Sequence, residues 1–140
     1  DSADFIYTFN VLEHIEDDLE ALQELHRVLK KGCFCLIYVP AMPFLYSAMD
    51  EKVCHFRRYT RQEIRLKASQ AGFDIISNRY NDSLGVLATL LYKMIGSKDG
   101  DISPKGLVAY DRIAFPISTI IDNVTHPILG KNVCAVLRKP

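Results

Sequence analysis

With 140 residues, 49% of them apolar, the chain is long enough to build one domain around a sizeable core. Seventeen Lys and Arg balance seventeen Asp and Glu, which argues against the broad basic face that a general grip on nucleic acid needs. The four cysteines, Cys33, Cys35, Cys54 and Cys134, include no C-x-x-C pair. Neither a zinc knuckle nor a disulfide framework is indicated, and a reducing, cytoplasmic setting is the expectation.

In chain order, Phe5–Phe9 is aromatic and β-branched and predicts a buried strand. Leu19, Leu22, Leu25 and Leu29 then recur at helical spacing and predict a helix from about Asp17 to Lys31. Acidic Glu16–Asp18 stand at its positive end and Lys30–Lys31 at its negative end, each charge typically adding ~0.3–1 kcal/mol. Gly32 supplies the expected left-handed stop. Cys33–Val39 is apolar throughout, which predicts a strand buried on both faces, with Cys33 and Cys35 as small apolar residues on one side. Pro40 and Pro43 end it, and residues 41–59 read as a long ordered loop of the kind that often carries function.

Thr60-Arg-Gln-Glu63 matches a capping box and opens a helix that Gly72 closes. Phe73–Tyr80 predicts a third strand. The apolar run 84–95 is shorter than the ~20 residues a membrane span requires, so a core or lid helix is expected. Ser103-Pro104 is a helix start, and Ile113, Ile117, Ile120, Ile121 and Val124 line one face of the helix that follows, with a kink at Pro116. Val133–Leu137 predicts a last strand. Alternating strands and helices imply an α/β domain with a largely parallel sheet, its final two strands an antiparallel pair joined by a helical insert at about 84–130.

Three stretches resemble class I S-adenosyl-L-methionine-dependent methyltransferases. Asp4-Phe-Ile-Tyr-Thr-Phe-Asn-Val-Leu-Glu-His-Ile15 is similar to their fourth strand and the loop after it. Leu29-Lys-Lys-Gly32 before an apolar strand resembles their entry to the fifth. Thr60-Arg-Gln-Glu63 through Gly72-Phe73 resembles the segment before the sixth. The resemblance implies a Rossmann-like sheet of which this chain supplies strands 4, 5, 7 and 6, as a single partial domain over 1–140. No G-x-G occurs anywhere, although the family grips the cofactor with a glycine-rich loop after its first strand. The chain also opens directly into a strand. The expectation is therefore the C-terminal portion of a methyltransferase, inactive alone.

The resemblance places Phe9, Asn10, Val11 and Leu12 against the cofactor's methionine part; His14, which directly follows that loop, is the better candidate base for the acceptor and His55 the second. Arg57, Arg58 and Tyr59 are candidates for acceptor binding, since arginine pairs with carboxylate or phosphate. Met49 through Thr60 resembles a subgroup associated with glycan or lipid-linked sugars, so a small-molecule or lipid-linked acceptor is implied. Plainer roles stand beside each assignment. Asn10 can cap its own turn, His14 can bond backbone at a helix entry, His55 can order its loop, and the arginines can be solvated. No metal ligand set is assigned, but one alternative remains: Asn10-x-x-Glu13-His14 approximates the E-x-x-E-H of metal-assisted O-methyltransferases, with His55 as a further ligand. A non-catalytic domain that dimerises over its open sheet edge is the other alternative.

Overall fold

The computed structural model describes residues 1–95 and 104–140. Four strands form one sheet in the order β1-β2-β4-β3. They are β1 (Ala3–Phe9), β2 (Leu29–Pro40), β3 (Asp74–Asn81) and β4 (Asn132–Arg138). β1 and β2 run parallel, and β4 is antiparallel to both β2 and β3. This is the expected strand 4-5-7-6 arrangement, and the last two strands are the expected antiparallel pair.

Helix α1 (Asp18–Val28) makes the parallel crossover. Its cap is Asp17, whose carboxylate accepts from the Glu20 amide at 3.0 Å, satisfying one of the helix's orphan donors. The helix ends at Val28, short of the expected Lys31. The cause is strand pairing: Leu29 already sits opposite Ala3, and the Ser2 amide donates to the Val28 carbonyl at 2.7 Å. Gly32 is left-handed (φ 75) as expected, but within β2, where its amide donates to the Lys139 carbonyl. The β1–β2 register jumps between Ala3 and Phe5, so the Lys30–Gly32 stretch bulges and needs glycine there.

β2 is not buried on both faces. Cys35, Ile37 and Val39 lie fully inside, against Val133, Ala135 and Leu137 of β4, while Phe34 on the opposite face is exposed. Leu22 of α1 and Ile64 and Ala68 of α3 (Arg61–Gln70) join that inner cluster. The capping box of α3 forms as its spacing requires: the Glu63 amide donates to Thr60 Oγ1 at 3.1 Å and the Thr60 amide to Glu63 Oε2 at 2.6 Å. Cys35 is a buried small residue, whereas Cys54 is exposed; all four cysteines are free thiols.

The stretch 41–59 is more ordered than a loop. It holds a 3-10 turn at Pro43–Leu45 and a short helix α2 (Ala48–Lys52), and its end is stitched back by a parallel bridge between Ala41 and Tyr59.

Between β3 and β4 lies the insert: α4 (Ser83–Ile95), α5 (Pro104–Ala109), a π-helical turn (Tyr110–Ala114) and α6 (Phe115–Thr125). Ser103, expected to open the second helix, lies outside the described residues. The irregularity anticipated at Pro116 takes the form of the π turn just before it, which re-pairs the backbone where proline has no N–H to give. Asp122 of α6 caps α4, accepting from the Asp82 and Ser83 amides at 2.6 and 2.9 Å, and Ser118 Oγ accepts from the Leu84 amide at 3.0 Å. No helix among the described residues is long and apolar enough to cross a membrane.

Candidate active site

In parallel sheets ligands gather at the carboxyl ends of the strands. Here β1 ends at Phe9 and turns through Asn10, which is left-handed (φ 50) with its amide donating to the Tyr38 carbonyl at 2.9 Å. Asparagine tolerates that conformation better than most residues. Phe9 and Val11 flank it with exposed side chains, whereas Leu12 is turned into the core. Three of the four expected cofactor contacts are therefore at the surface of the turn, and Leu12 supports it from behind.

One 3-10 turn later (Leu12–His14) a cluster forms that the sequence separates widely. The His14 and His55 rings meet edge to face with centroids 4.6 Å apart. His14 Nδ1 lies 3.3 Å from the Cys54 carbonyl. His55 Nδ1 lies 2.8 Å from Asp50 Oδ1. A carbonyl and an ionised carboxylate only accept, so both Nδ1 atoms are the donors of these contacts, and neither contact engages Nε2. Asp50 is fully buried; burial alone raises its pKa, but hydrogen bonds from Arg58 and His55 and the Arg58 charge bring it below the ordinary carboxylate value. Arg58 Nε donates to Asp50 Oδ1 at 2.9 Å, and the Ser47 amide donates to the other oxygen at 3.0 Å.

Beside the two imidazoles sits Glu13. It is 0% exposed, and neither carboxylate oxygen has a hydrogen-bond partner. His55 Nε2 is 3.7 Å from Glu13 Oε1, beyond a hydrogen bond. Burial raises the Glu13 pKa above its ordinary value, against smaller opposing effects of its own backbone and of His55, His14 and Arg58. Such an unpartnered buried carboxylate is costly unless it is protonated or joined by a cation. One donor atom from each of Glu13, His14 and His55 falls within 4.8 Å of the others. The donor set fits a divalent ion, and the second oxygen contacts of both imidazoles are the outer partners that metal-binding histidines use.

The three residues expected to bind acceptor have structural partners. Arg57 bonds Asp18 at 3.1 Å and the Glu16 carbonyl at 2.7 Å. Tyr59 lies in the core, its hydroxyl donating to Asp18 Oδ2 at 2.8 Å. Arg58 is buried against Asp50 and the Ala41 carbonyl. None of these is a free clamp on the surface. The plainer roles considered for His14 and His55 are also met, since one bonds backbone and the other orders its loop. Asp50 was not foreseen as the buried anchor of His55, although Ser47-x-x-Asp50 carries a capping-box spacing that points to it.

A four-stranded, mostly open α/β sheet whose first two strands run parallel, with helices packed on it, defines a Rossmann-like domain. The chain belongs to the methyltransferase-domain family, whose model matches residues 1–78, more than half its length. No curated protein sequence matches it. Among solved structures it is similar to a chain of the Haloferax volcanii complex between the Trm112 methyltransferase activator and a methyltransferase. The TM-score is 0.60 and the identity 17%, over 100% of this chain and 55% of that one. A Galdieria sulphuraria sarcosine dimethylglycine methyltransferase gives 0.56 and 18%, over 99% and 53%. Haemonchus contortus phosphoethanolamine N-methyltransferase 2, in complex with S-adenosyl-L-methionine, gives 0.55 and 19%, over 98% and 33%. At these identities the likeness establishes the shared fold. The chain spans about half the length of the first two.

Proposed function

We propose that these 140 residues form the acceptor-side portion of an S-adenosyl-L-methionine-dependent methyltransferase acting on a small-molecule or lipid-linked acceptor. The observation that carries this is the juxtaposition of the exposed Phe9-Asn10-Val11 turn, at the carboxyl end of a parallel strand, with the paired imidazoles of His14 and His55. The turn fits the cofactor: Phe9 and Val11 offer apolar surface, and Asn10 a carboxamide. When bound, S-adenosyl-L-methionine supplies an electrophilic methyl group. The chain's own residues orient the acceptor and take its proton. His55 is the better base, because Asp50 fixes its ring and stabilises the imidazolium that proton uptake creates. His14 orders the Cys54 turn beside it.

In this proposal the main grip on the cofactor comes from a glycine-rich loop that residues 1–140 do not contain, so the chain alone binds S-adenosyl-L-methionine weakly and does not turn over. Calorimetric titration of the chain tests this. Dissociation constants weaker than about 1 mM are expected, and micromolar binding overturns the expectation. An in-frame G-x-G segment upstream of Asp1 in the coding DNA supports it independently.

The unpartnered Glu13 carboxylate favours a second reading, a metal-assisted O-methyltransferase in which Glu13, His14 and His55 hold a divalent ion. Asn10, neutral where that pattern has glutamate, does not add the charge that hard cations prefer. Titration with Mn2+ and Zn2+ separates the readings: stoichiometric binding that Glu13→Ala and His14→Ala both abolish selects the metal enzyme, and its absence removes it.

A further inference from the structure

A cavity of about 200 Å³ lies beneath the helical insert, away from the Asn10 turn. Met49 of α2, Ala88, Thr89 and Tyr92 of α4, Leu107 of α5 and Tyr110 of the π turn give it mainly apolar walls. Two cations line it as well, Arg58 and Lys131. They differ in what they already hold. Arg58 spends Nε on Asp50 and Nη1 on the Ala41 carbonyl. The Lys131 ammonium has no carboxylate within 4.0 Å among the described residues; its neighbour is the Tyr110 ring, 5.9 Å away. The Tyr92 hydroxyl, on the same lining, is buried with no hydrogen-bond partner. The nearby carboxylates are held by other donors. Asp82 accepts from the Tyr110 hydroxyl and the Gly85 amide, and neither Asp82 nor Asp50 lines the cavity.

A buried hydroxyl and an unpaired ammonium that share apolar walls call for a ligand that is apolar over most of its length and anionic at one end. Burying the Tyr92 hydroxyl without a partner costs free energy, and the half-buried Lys131 ammonium has only the Tyr110 ring beside it, so a bound anion would give both groups charge-assisted hydrogen bonds. The volume is below the ~300–1,000 Å³ of a pocket that encloses a whole drug-sized molecule. It therefore accommodates the head and first atoms of a longer ligand. Arg58 ties the cavity to the His14–His55 cluster, because Asp50 joins its guanidinium to the His55 ring.

We infer that this cavity binds an amphiphile with a phosphate or carboxylate head, with Lys131 and Tyr92 as its polar contacts. As the acceptor pocket it rests on the proposed methyl transfer; as a binding site it stands by itself. The test is calorimetry on the full chain with three probes below their aggregation concentrations: octyl phosphate, inorganic phosphate and octanol. Saturable one-to-one binding of octyl phosphate is expected, at least tenfold tighter than either other probe. Lys131→Ala is expected to weaken it about tenfold, and Tyr92→Phe about threefold, with circular dichroism unchanged. Octanol binding as tightly as octyl phosphate, inorganic phosphate binding as tightly, or both variants binding like wild type each overturns the inference. Cofactor titration run in parallel keeps the two proposals apart: a failure there leaves the octyl phosphate result standing, and the reverse also holds.

Discussion

Two buried carboxylates flank the start of α1, and the chain treats them oppositely. Asp18 accepts from the Tyr59 hydroxyl, from Lys67 and from Arg57. Burial raises its pKa, but the Lys67 and Tyr59 hydrogen bonds and the Lys67 and Arg57 charges outweigh that and hold it below the ordinary value of 3.8. Glu13 has no hydrogen-bond partner for its carboxylate, and its pKa is raised from 4.5. The first is an anchor that fastens α3 and the loop 53–60 onto α1. The second stands in the only His–His–carboxylate group within metal-ligand reach among the described residues. Where a fold leaves one buried charge unsatisfied while satisfying its neighbour three times over, the unsatisfied one marks the place to look for chemistry.

The sharpest way to break this contrast is Asp18→Ala. It leaves Tyr59, Lys67 and Arg57 without their common acceptor and is expected to cost about 3 kcal/mol or more, as removing one partner of a buried ion pair does. Urea denaturation measures it, and a loss below about 1 kcal/mol would make Asp18 a surface ornament. Tyr59→Phe is smaller, at about 1–2 kcal/mol, because one buried hydrogen bond goes and the ring stays. Glu13→Gln should have the smallest effect, within about 1 kcal/mol at neutral pH and of either sign, since no hydrogen bond to another residue is broken and an acidic group is removed from the interior.

Acidity sharpens the comparison further when the unfolding free energy is followed in metal-free buffer. Asp18, with a lowered folded pKa, contributes stability that is present above its unfolded value near 3.8 and is lost as pH falls through the folded value. Glu13 behaves inversely. Its raised folded pKa gives a contribution that is complete below 4.5 and is lost as pH rises through the folded value. Wild type should therefore lose stability relative to Glu13→Gln on raising the pH from 4.5. Parallel profiles for the two proteins would show that Glu13 does not titrate differently in the fold.

Most of the fold was legible because local rules and tertiary packing agree. Thr60 and Glu63 form the predicted box, and the strand 4-5-7-6 order follows from the motif order. The errors arose where a distant partner decides the outcome. Lys30 and Lys31 read as a helix end, yet pairing of Leu29 with Ala3 pulls them into a strand. Cys33–Val39 reads as doubly buried, yet only the alternate residues Cys35, Ile37 and Val39 are fully buried. Of the candidate site, the sequence shows His14 and the Asn10 turn as residue types next to a strand end, while His55 comes beside them only through the fold. That Arg57 and Tyr59 would be consumed by Asp18 was not visible, because nothing local links position 18 to positions 57 and 59. Glu13 was noted through its spacing, but its lack of a partner is a property of the packed molecule alone.

The row formed by Phe5, Tyr7 and Phe9 on the outer strand has a practical consequence. These rings are 56%, 65% and 52% exposed and lie 5.8–6.4 Å apart in sequence order, and among the described residues β1 pairs on one side only. A ribbon with sticky aromatic rungs and vacant amide positions is a template for any extended peptide that drifts past, including another molecule's own β1. Sample handling will feel this before enzymology does. Scattering mass should climb with concentration, and a lysine in place of Tyr7 should flatten that climb.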